Sequence, residues 1–320
     1  VKLPPNISLI EESAFSNCEN LTNIKMHSSI YRIENRSFYG CTNLRGSLII
    51  PDSVTSIGNN AFDTCSNFDG TLTLGVNLVS IGSYAFQNCK NFVGPLVIPE
   101  NITTIQEGTF SLCATISSLK LNSQLQSIEK FGFRNCYSLT SLTIPDSVIS
   151  IGVLSFSSCT NIRGTISIPD SVSYLSSSAF SECTGFNLLH IGKQIRTIPS
   201  SAFSHCTNLT SLTIPDWVTT IESNAFEYCS GIRGMIEIPN SVTTLGSGSF
   251  SRCTGFTELK LGQNISEIPS EAFSYCSNLS SLNIPEWVAT IKANSFVYCS
   301  GIRGTLKIPD SVIALENNAF

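Results

Sequence analysis

The spacing of the cysteines constrains the fold of this chain more than any other feature. The 320 residues contain 13 cysteines, and every interval between consecutive cysteines is 23 or 24 residues. The cysteines stand at positions 18, 41, 65, 89, 113, 136, 159, 183, 206, 229, 253, 276 and 299. A fixed period of this length is typical of solenoids and other repeat architectures. The sequence therefore predicts an array of similar coils rather than two ordinary globular domains.

Other residues recur in step with the cysteines. Every cysteine has a Phe three residues earlier, and a small residue stands directly before each Phe, Ala in eight of the repeats and otherwise Ser, Thr or Gly. A residue type that returns in every coil faces its own copies in the coils on either side. We therefore expect structural ladders of stacked, buried side chains, which include Phe226, Cys229, Phe250 and Cys253.

The remaining apolar positions predict two extended segments and a turn in each repeat. In the stretch SLTSLTIP (138–145), Leu142 and Ile144 point inward and Thr143 points outward if the segment is a strand. Pro145 would end this strand, since proline cannot donate a ladder hydrogen bond. The stretch DSVTSIG (52–58) predicts a second short extended segment, and NNAF (59–62) predicts a tight helical or 3₁₀ turn.

The difference between 23- and 24-residue repeats has a regular position. The longer repeats carry one additional residue beside a glycine at position 46, 70, 94, 164, 234 or 304, where the first strand begins. An extra residue next to a glycine that can adopt positive φ predicts a β-bulge. From Cys159 onward the intervals read 24, 23, 23, 24, 23, 23, which gives a 70-residue super-repeat and indicates duplication of three-repeat blocks.

The cysteines are open to four interpretations: disulfides, metal ligands, nucleophiles or packing. An odd number leaves one thiol unpaired, and side chains in register point in parallel rather than toward one another. Zinc ligands usually cluster within a few residues, whereas no two of these cysteines are closer than 23 residues. A nucleophile would stand apart from its copies, yet all thirteen share one context. The pattern favours small buried side chains with a weak S–H donor.

The repeat CTNLTSLTIPDWVTTIESNAFEYC (206–229) resembles the BspA-like, treponemal-type leucine-rich repeats, and the resemblance covers the whole chain. It implies a right-handed, β-rich solenoid with a parallel sheet on the concave side and short 3₁₀ or helical turns. We predict one leucine-rich repeat domain over residues 1–320, with about fourteen coils and a length of about 65 Å at one strand spacing per coil. Because the chain opens and stops inside repeats, we interpret it as a fragment without its caps.

Candidate binding residues lie where the strand side chains point outward. Reading one residue before the last apolar residue of each strand gives a mixed, mostly small or polar column, as expected for a protein-binding surface. A solubilising role is the alternative for any single member. The candidates are Lys120, Thr143, His190, Thr213, Glu237, Lys260, Asn283 and Lys307. The column contains no acid pair, Ser-His-Asp arrangement or phosphate-binding loop, so we expect neither catalysis nor a metal or cofactor.

Aromatic residues break the repeat pattern at two further positions. The common IPDSV becomes IPDWV at Trp217 and IPEWV at Trp287, 70 residues apart, and we expect both rings to project to the surface. Tyr228, Tyr275 and Tyr298 stand beside cysteines and are further candidates for interface anchors, because aromatic side chains are enriched at binding hot spots. The alternative is that duplication copied one Trp without a binding role.

The resemblance implies a non-enzymatic adhesion protein of the cell surface or the extracellular space, which binds host extracellular-matrix or cell-surface proteins. A net charge of −5 argues against nucleic acid as the main partner. No apolar run reaches the roughly 20 residues that span a membrane, so we expect no direct insertion of this segment. An intracellular scaffold for protein–protein interactions is the alternative. An anchor or a signal peptide in flanking sequence would distinguish the two.

Overall fold

The computed structural model describes residues 2–320. The chain forms two compact units, unit 1 up to Ile162 and unit 2 from Arg163 to Phe320. Each unit is a parallel β-solenoid in which one 23- or 24-residue repeat makes one coil, so the predicted fold class is confirmed. Each strand pairs with the equivalent strand of the next coil, for example Arg32 with Ser56 and Ile33 with Ile57.

Unit 1 contains eleven strands in two columns. The strands are β1 (Leu9–Ile10), β2 (Arg32–Ile33), β3 (Leu48–Ile49), β4 (Ser56–Ile57), β5 (Leu72–Thr73), β6 (Ser80–Ile81), β7 (Gly94–Val97), β8 (Thr104–Ile105), β9 (Ile116–Lys120), β10 (Ser127–Ile128) and β11 (Ser150–Ile151). The first column consists of the pairs β3–β5 and β7–β9, and the second consists of β1–β2–β4–β6 and β8–β10–β11. All of these pairs are parallel.

Unit 2 repeats this arrangement. Its strands are β12 (Thr165–Ser167), β13 (Tyr174–Leu175), β14 (Leu188–His190), β15 (Thr197–Ile198), β16 (Thr220–Ile221), β17 (Gly234–Glu237), β18 (Thr244–Leu245), β19 (Phe256–Lys260), β20 (Glu267–Ile268), β21 (Ser281–Leu282), β22 (Thr290–Ile291) and β23 (Ala314–Leu315). The first column holds β12–β14 and β17–β19–β21, and the second holds β15–β16–β18 and β20–β22–β23.

The strand predicted at 138–145 is present only in the alternating orientation of its side chains. Leu139, Leu142 and Ile144 are buried and Thr143 is exposed, as expected from alternation. However, these residues have the strand orientation without belonging to a hydrogen-bonded strand. The first column is therefore a series of short sheets within each unit rather than the single continuous sheet that was predicted.

The prolines close the corner between the two strand columns. The carbonyl of Pro51 accepts a hydrogen bond from the amide of Val54 at 3.0 Å, and Pro145 and Val148 make the same contact. This is the i to i+3 bond of a β-turn. Where proline is missing, Gly75 makes the equivalent bond with Leu78. The inward side chains predicted in the second segment, Val54 and Ile57, are both buried.

The predicted bulges are present where the strands are long enough to show them. The register between β7 and β9 shifts at Gly94/Pro95, and that between β17 and β19 shifts at Gly234/Met235. Of the six glycines at this position, all but Gly70 have positive φ, between 73° and 83°. Gly70 is required for another reason, since a Cβ there would lie 2.5 Å from the backbone nitrogen of Ser47.

The predicted helical turn before each cysteine is wrong, because none of the described residues is in an α- or 3₁₀-helix. Two residues of the turn instead have left-handed φ, as at Tyr84 (59°) and Asn88 (60°). Alternate amides of this turn donate to the next coil: Tyr84 to Glu107, Phe86 to Thr109 and Asn88 to Ser111, at 2.8 to 2.9 Å. A helix directs all its amides along its own axis, so it could not make these bonds between coils.

The phenylalanines form a continuous ring stack in each unit. In unit 1 the seven rings from Phe15 to Phe156 stack with centroids 5.0 to 5.6 Å apart. In unit 2 the rings from Phe180 to Phe320, which include Phe226 and Phe250, stack at 5.3 to 5.8 Å. The small residue before the Phe, for example Ala225, is buried in every coil except the first, where Ala14 is exposed. A larger side chain at this position would have to displace the packed coil.

The cysteines line the core beside the phenylalanine stack. All thirteen are free thiols, and all except Cys18 are buried. The Cys229 Sγ donates to the carbonyl of Phe203 in the preceding coil at 3.1 Å, and the Cys253 Sγ donates to Phe226 at the same distance. Equivalent thiol–carbonyl bonds recur in both units at 3.0 to 3.4 Å. The geometry favours packing over the other three interpretations.

The described residues contain no helix that is long and apolar enough to cross a membrane. Within residues 2–320, no cluster of three or more His, Cys, Asp or Glu side chains could hold a metal ion.

Candidate functional site

Five successive coils of unit 2 carry a continuous stack of side chains, which we call the turn-edge ladder. Its members are His205, Tyr228, Arg252, Tyr275 and Tyr298, each directly before a cysteine. The rings of His205 and Tyr228 lie 4.3 Å apart and are nearly parallel, and those of Tyr275 and Tyr298 lie 4.7 Å apart. Arg252 lies between the two ring pairs. The ladder is therefore an aromatic column interrupted by one cation.

The turn fixes where these side chains point. Each ladder residue has a φ between 58° and 60°, and the amides of His205, Tyr228, Arg252 and Tyr275 donate to the next coil, as Tyr228 does to Ser251 at 2.8 Å. The following cysteine points into the core. The ladder residue therefore projects from the edge of the turn, where the coil repeat places it beside its equivalent in the next coil. Tyr298 is 65% exposed, and the other four are half-buried by their neighbours.

Arg252 is held by aromatic faces and not by a carboxylate. The guanidinium carbon of Arg252 lies 5.0 Å from the ring centroid of Tyr228 and 4.1 Å from that of Tyr275. Such cation–π contacts each stabilise by about 0.5 to 2 kcal/mol, depending on exposure. Among residues 2–320, no Asp or Glu forms an ion pair with Arg252, and its side chain makes no hydrogen bond within the protein. Its N–H groups are free to bind a ligand.

A groove runs beside the ladder. A cavity of about 600 Å³ is lined by Arg252, Tyr275, Tyr298 and Phe320 together with Glu271, Asn294 and Asn318. The floor of this turn groove includes Ser274, whose hydroxyl lies 2.8 Å from that of Ser251. Glu271 is exposed and has no ion-pair partner in the described chain. The groove therefore offers one cation, one anion and several neutral hydrogen-bonding groups beside aromatic rings.

The same repeat pattern is found in a known family. The family model for the BspA type leucine rich repeat region matches residues 1–93, 45–163, 79–210, 164–235 and 196–320, which together span the chain. The chain belongs to the BspA-type leucine-rich repeat family. A search of curated protein sequences finds no match to this chain.

Solved structures show the same BspA-type architecture. A leucine-rich repeat protein from Bacteroides ovatus is 24% identical, with a TM-score of 0.68 over 98% of this chain and 82% of that one. A leucine rich cell surface protein from Faecalibacterium prausnitzii is 25% identical, with a TM-score of 0.53 over 98% of this chain and 84% of its own. A protein from Eubacterium ventriosum is 19% identical, with a TM-score of 0.51 over 94% and 82% of the two chains.

The BspA-type coil places the outward strand candidates on an exposed face. Lys120, Thr143, His190, Thr213, Glu237, Lys260, Asn283 and Lys307 are all exposed. Glu237 and Lys260 are paired across adjacent strands, with the Lys260 Nζ 2.6 Å from Glu237 Oε1, so neither charge is fully free for a ligand. Lys307 lies 3.6 Å from Glu286. Within each unit these candidates lie on different coils, and their binding role stays a prediction.

The two tryptophans are more constrained than the sequence indicated. Their indole N–H groups donate to glycine carbonyls of the preceding coil, Trp217 to Gly192 at 3.1 Å and Trp287 to Gly262 at 2.9 Å. Trp217 is half-buried and Trp287 is 40% exposed. Trp287 reaches the surface as expected and Trp217 is partly exposed, while each indole N–H is satisfied by a backbone carbonyl.

The three tyrosines of the ladder were predicted from the sequence as binding candidates, whereas His205 and Arg252 were not. The position before the cysteine varies widely, and Asn17, Asn88 and Asn135 in unit 1 carry no aromatic or charge. The signal that identifies the site is the order of this single column over consecutive repeats, which reads His, Tyr, Arg, Tyr, Tyr. In a BspA-type repeat, such a column is contiguous in space although its members are 23 or 24 residues apart.

Unit 1 carries a different polar cluster at its turns. The hydroxyl of Tyr84 donates to Glu107 at 2.6 Å, and Lys130 lies 3.4 Å from the same carboxylate. Desolvation by burial and the bond to Glu107 raise the pKa of Tyr84 to about 12, and this bond together with Lys130 lowers the pKa of Glu107. Lys130 also lies over the ring of Phe131 at 4.6 Å. Because its charges are mutually satisfied, we interpret this cluster as structural.

Proposed function

We propose that this protein is a non-enzymatic adhesion module, located on the cell surface or secreted, which binds host extracellular-matrix or cell-surface proteins. The observation that carries the proposal is the turn-edge ladder, since Tyr and Arg are the residue types enriched at protein-binding hot spots. The description of the Faecalibacterium prausnitzii relative as a cell surface protein supports the location. The exposed strand face would supply many weak polar contacts around these anchors.

Binding to a panel of purified extracellular-matrix proteins and to cultured epithelial cells tests the proposal. We expect the wild-type protein to bind at least one of them, and the Trp217→Ser/Trp287→Ser and Tyr275→Ser/Tyr298→Ser variants to bind more weakly. Tyr137→Ser is a matched control, because Tyr137 is an exposed tyrosine of unit 1 outside the ladder. If the wild-type protein binds nothing on the panel or on the cells, the adhesion proposal is wrong.

A further inference from the structure

We propose that the turn groove of unit 2 binds the carboxylate of an Asp or Glu side chain in a protein partner, and that Arg252 holds this carboxylate. The proposal deepens the proposed function and rests on it in one respect, namely that the partner is a protein. The occupant is a short peptide segment that lies beside the ladder and places one carboxylate against the free edge of the guanidinium.

The position of Arg252 is prepared for this contact. Its guanidinium carbon lies over the Tyr228 ring of the preceding coil and over the Tyr275 ring of the following coil, so two aromatic contacts restrict the side chain before a ligand arrives. A planar guanidinium presents paired N–H donors at its edge, which match the two oxygens of a carboxylate. Because stacking has already restricted the side chain, less conformational freedom is lost on binding.

The backbone gives the ladder residues a fixed direction. A bulky residue with left-handed φ is strained by about 1 to 2 kcal/mol relative to glycine or asparagine. Unit 1 avoids this strain before four of its cysteines, with Asn17, Gly40, Asn88 and Asn135, and accepts it elsewhere, as at Leu112. Unit 2 places His, Tyr, Arg, Tyr and Tyr there in consecutive coils, so five side chains that can stack are brought into one column.

The charges of the groove select among anions. Glu271 lines the same cavity as Arg252, is exposed, and would repel a densely charged polyanion such as a sulfated glycan. A single carboxylate suffers less repulsion, and a basic residue close to it in the partner would complement Glu271. Tyr275 and Tyr298 add aromatic surface for the uncharged residues on either side. The groove therefore fits a segment with one acidic residue, one basic residue and apolar or small neighbours.

Selection from a displayed library of random peptides tests this specificity without a known ligand. The wild-type protein is the bait, and binders to Arg252→Met are removed by counter-selection. Methionine preserves much of the packing between the tyrosines but removes every N–H donor. We expect the surviving peptides to be enriched in Asp or Glu. Failure to enrich any peptide, or enrichment of peptides without a carboxylate, would contradict the inference.

A selected peptide is then synthesised with its acidic residue and with the matching amide. We expect the amide peptide to bind wild-type protein at least tenfold more weakly, and both peptides to bind Arg252→Met equally, because the carboxylate has then lost its partner. Arg303→Met is the matched control, since Arg303 is exposed in the same unit and lies outside the groove; it should bind like wild type. Circular dichroism of all variants checks that the fold is intact.

The two proposals fail in different ways. If the matrix and cell panel is negative but the peptides show the carboxylate preference, the groove is a carboxylate site and the adhesion proposal alone is wrong. If the panel is positive and insensitive to Arg252→Met, while the peptides show no preference for an acid over its amide, the groove inference is wrong and adhesion uses another surface.

Discussion

The thiol of a buried cysteine shares its carbonyl acceptor with the backbone amide of the cysteine one coil earlier. The Phe203 carbonyl accepts the amide of Cys206 at 3.3 Å and the thiol of Cys229, one coil later, at 3.1 Å. Burial raises the pKa of the Cys206 thiol well above its usual range, so the reactive thiolate is not formed near neutral pH. The sequence already favoured packing for this column, but it could not show the carbonyl acceptor, since the acceptor depends on how the coils stack.

The thiols should differ sharply in reactivity. In native protein at pH 8, we expect a maleimide to label Cys18, which is exposed, and to leave the other twelve cysteines unlabelled because they are buried. Denaturation should make all thirteen reactive. Intact-mass spectrometry counts the labels and peptide mapping locates them. The Cys18→Ser variant should show no native labelling, whereas rapid native labelling of Cys136 or Cys229 would contradict the burial.

At the scale of the element, the extra residue of the bulge was easier to predict from the sequence than the backbone conformation of the turn before the cysteine. One additional residue beside Gly234 sufficed to predict a bulge, because an inserted residue cannot keep the hydrogen-bond register between stacked strands. The turn before the cysteine was predicted as helical, because residues such as Tyr84 and Phe131 give no sequence signal for left-handed φ. That conformation is imposed by hydrogen bonds to the next coil, which a single repeat does not contain.

Replacement by alanine should lower the free energy of unfolding by different amounts at two glycines. Gly234→Ala adds only backbone strain at a φ of 73°, since nothing lies within 4 Å of the new Cβ, and we expect a loss of about 1 kcal/mol in the free energy of unfolding. Gly192→Ala should cost more, because the Cβ would lie 2.2 Å from the carbonyl oxygen of Pro169. Urea unfolding measures both. Equal losses would contradict the close-approach argument for Gly192, since its backbone would then have to yield to the new Cβ at little cost.

At the scale of the whole chain, small contributions of equivalent residues to the free energy of unfolding add up over the coils. The sequence alone predicted the repetition behind this additivity, because a solenoid repeats one set of contacts in every coil. It predicted Tyr228, Tyr275 and Tyr298 as binding candidates because aromatic side chains are enriched at binding hot spots. It did not single out Arg252, since one arginine in a variable column carries no meaning until the tyrosines are seen on both sides of it.

The buried thiols should make the protein sensitive to alkaline pH. The pKa values of nine thiols are raised by burial, namely Cys41, Cys65, Cys89, Cys113, Cys136, Cys159, Cys206, Cys253 and Cys276. Unfolded thiols ionise near pH 8.5, so the stabilisation is complete below that pH and is lost as the pH rises toward the folded values. Each thiol that stays protonated in the folded state contributes a loss of about 1.4 kcal/mol per pH unit.

Urea midpoints at pH 7.5 and pH 9.5 measure this effect, and we expect a clearly lower midpoint at pH 9.5. Replacing Cys89, Cys113 and Cys136 with alanine should reduce the pH dependence, because three protons no longer dissociate on unfolding. An unchanged midpoint in the wild-type protein between the two pH values would contradict the prediction.

The 70-residue super-repeat predicts that one block can be removed in register. Deletion of residues 230–299 joins Cys229 to Ser300, and the junction again reads YCSGIRG. We expect a folded protein with β-type circular dichroism and cooperative thermal unfolding, which has lost Arg252, Tyr275 and Tyr298 and therefore binding to the selected peptides. Deletion of 230–309 removes ten more residues, breaks the coil period and serves as the control; its coils before Cys229 should fold, but residues 310–320 should not pack on them, so it should unfold at a lower temperature. An unfolded in-register variant would contradict the modular account.

The left-handed residue before each cysteine has a consequence for protein engineering. A design procedure that maximises thermostability would replace Tyr228, Arg252 and Tyr275 with asparagine or glycine, since those residue types adopt a left-handed φ with less strain. A consensus built from unit 1 would make the same substitutions. Either procedure would yield a well-behaved scaffold from which the groove had been erased, so the five ladder positions should be held fixed in any redesign that is meant to keep recognition.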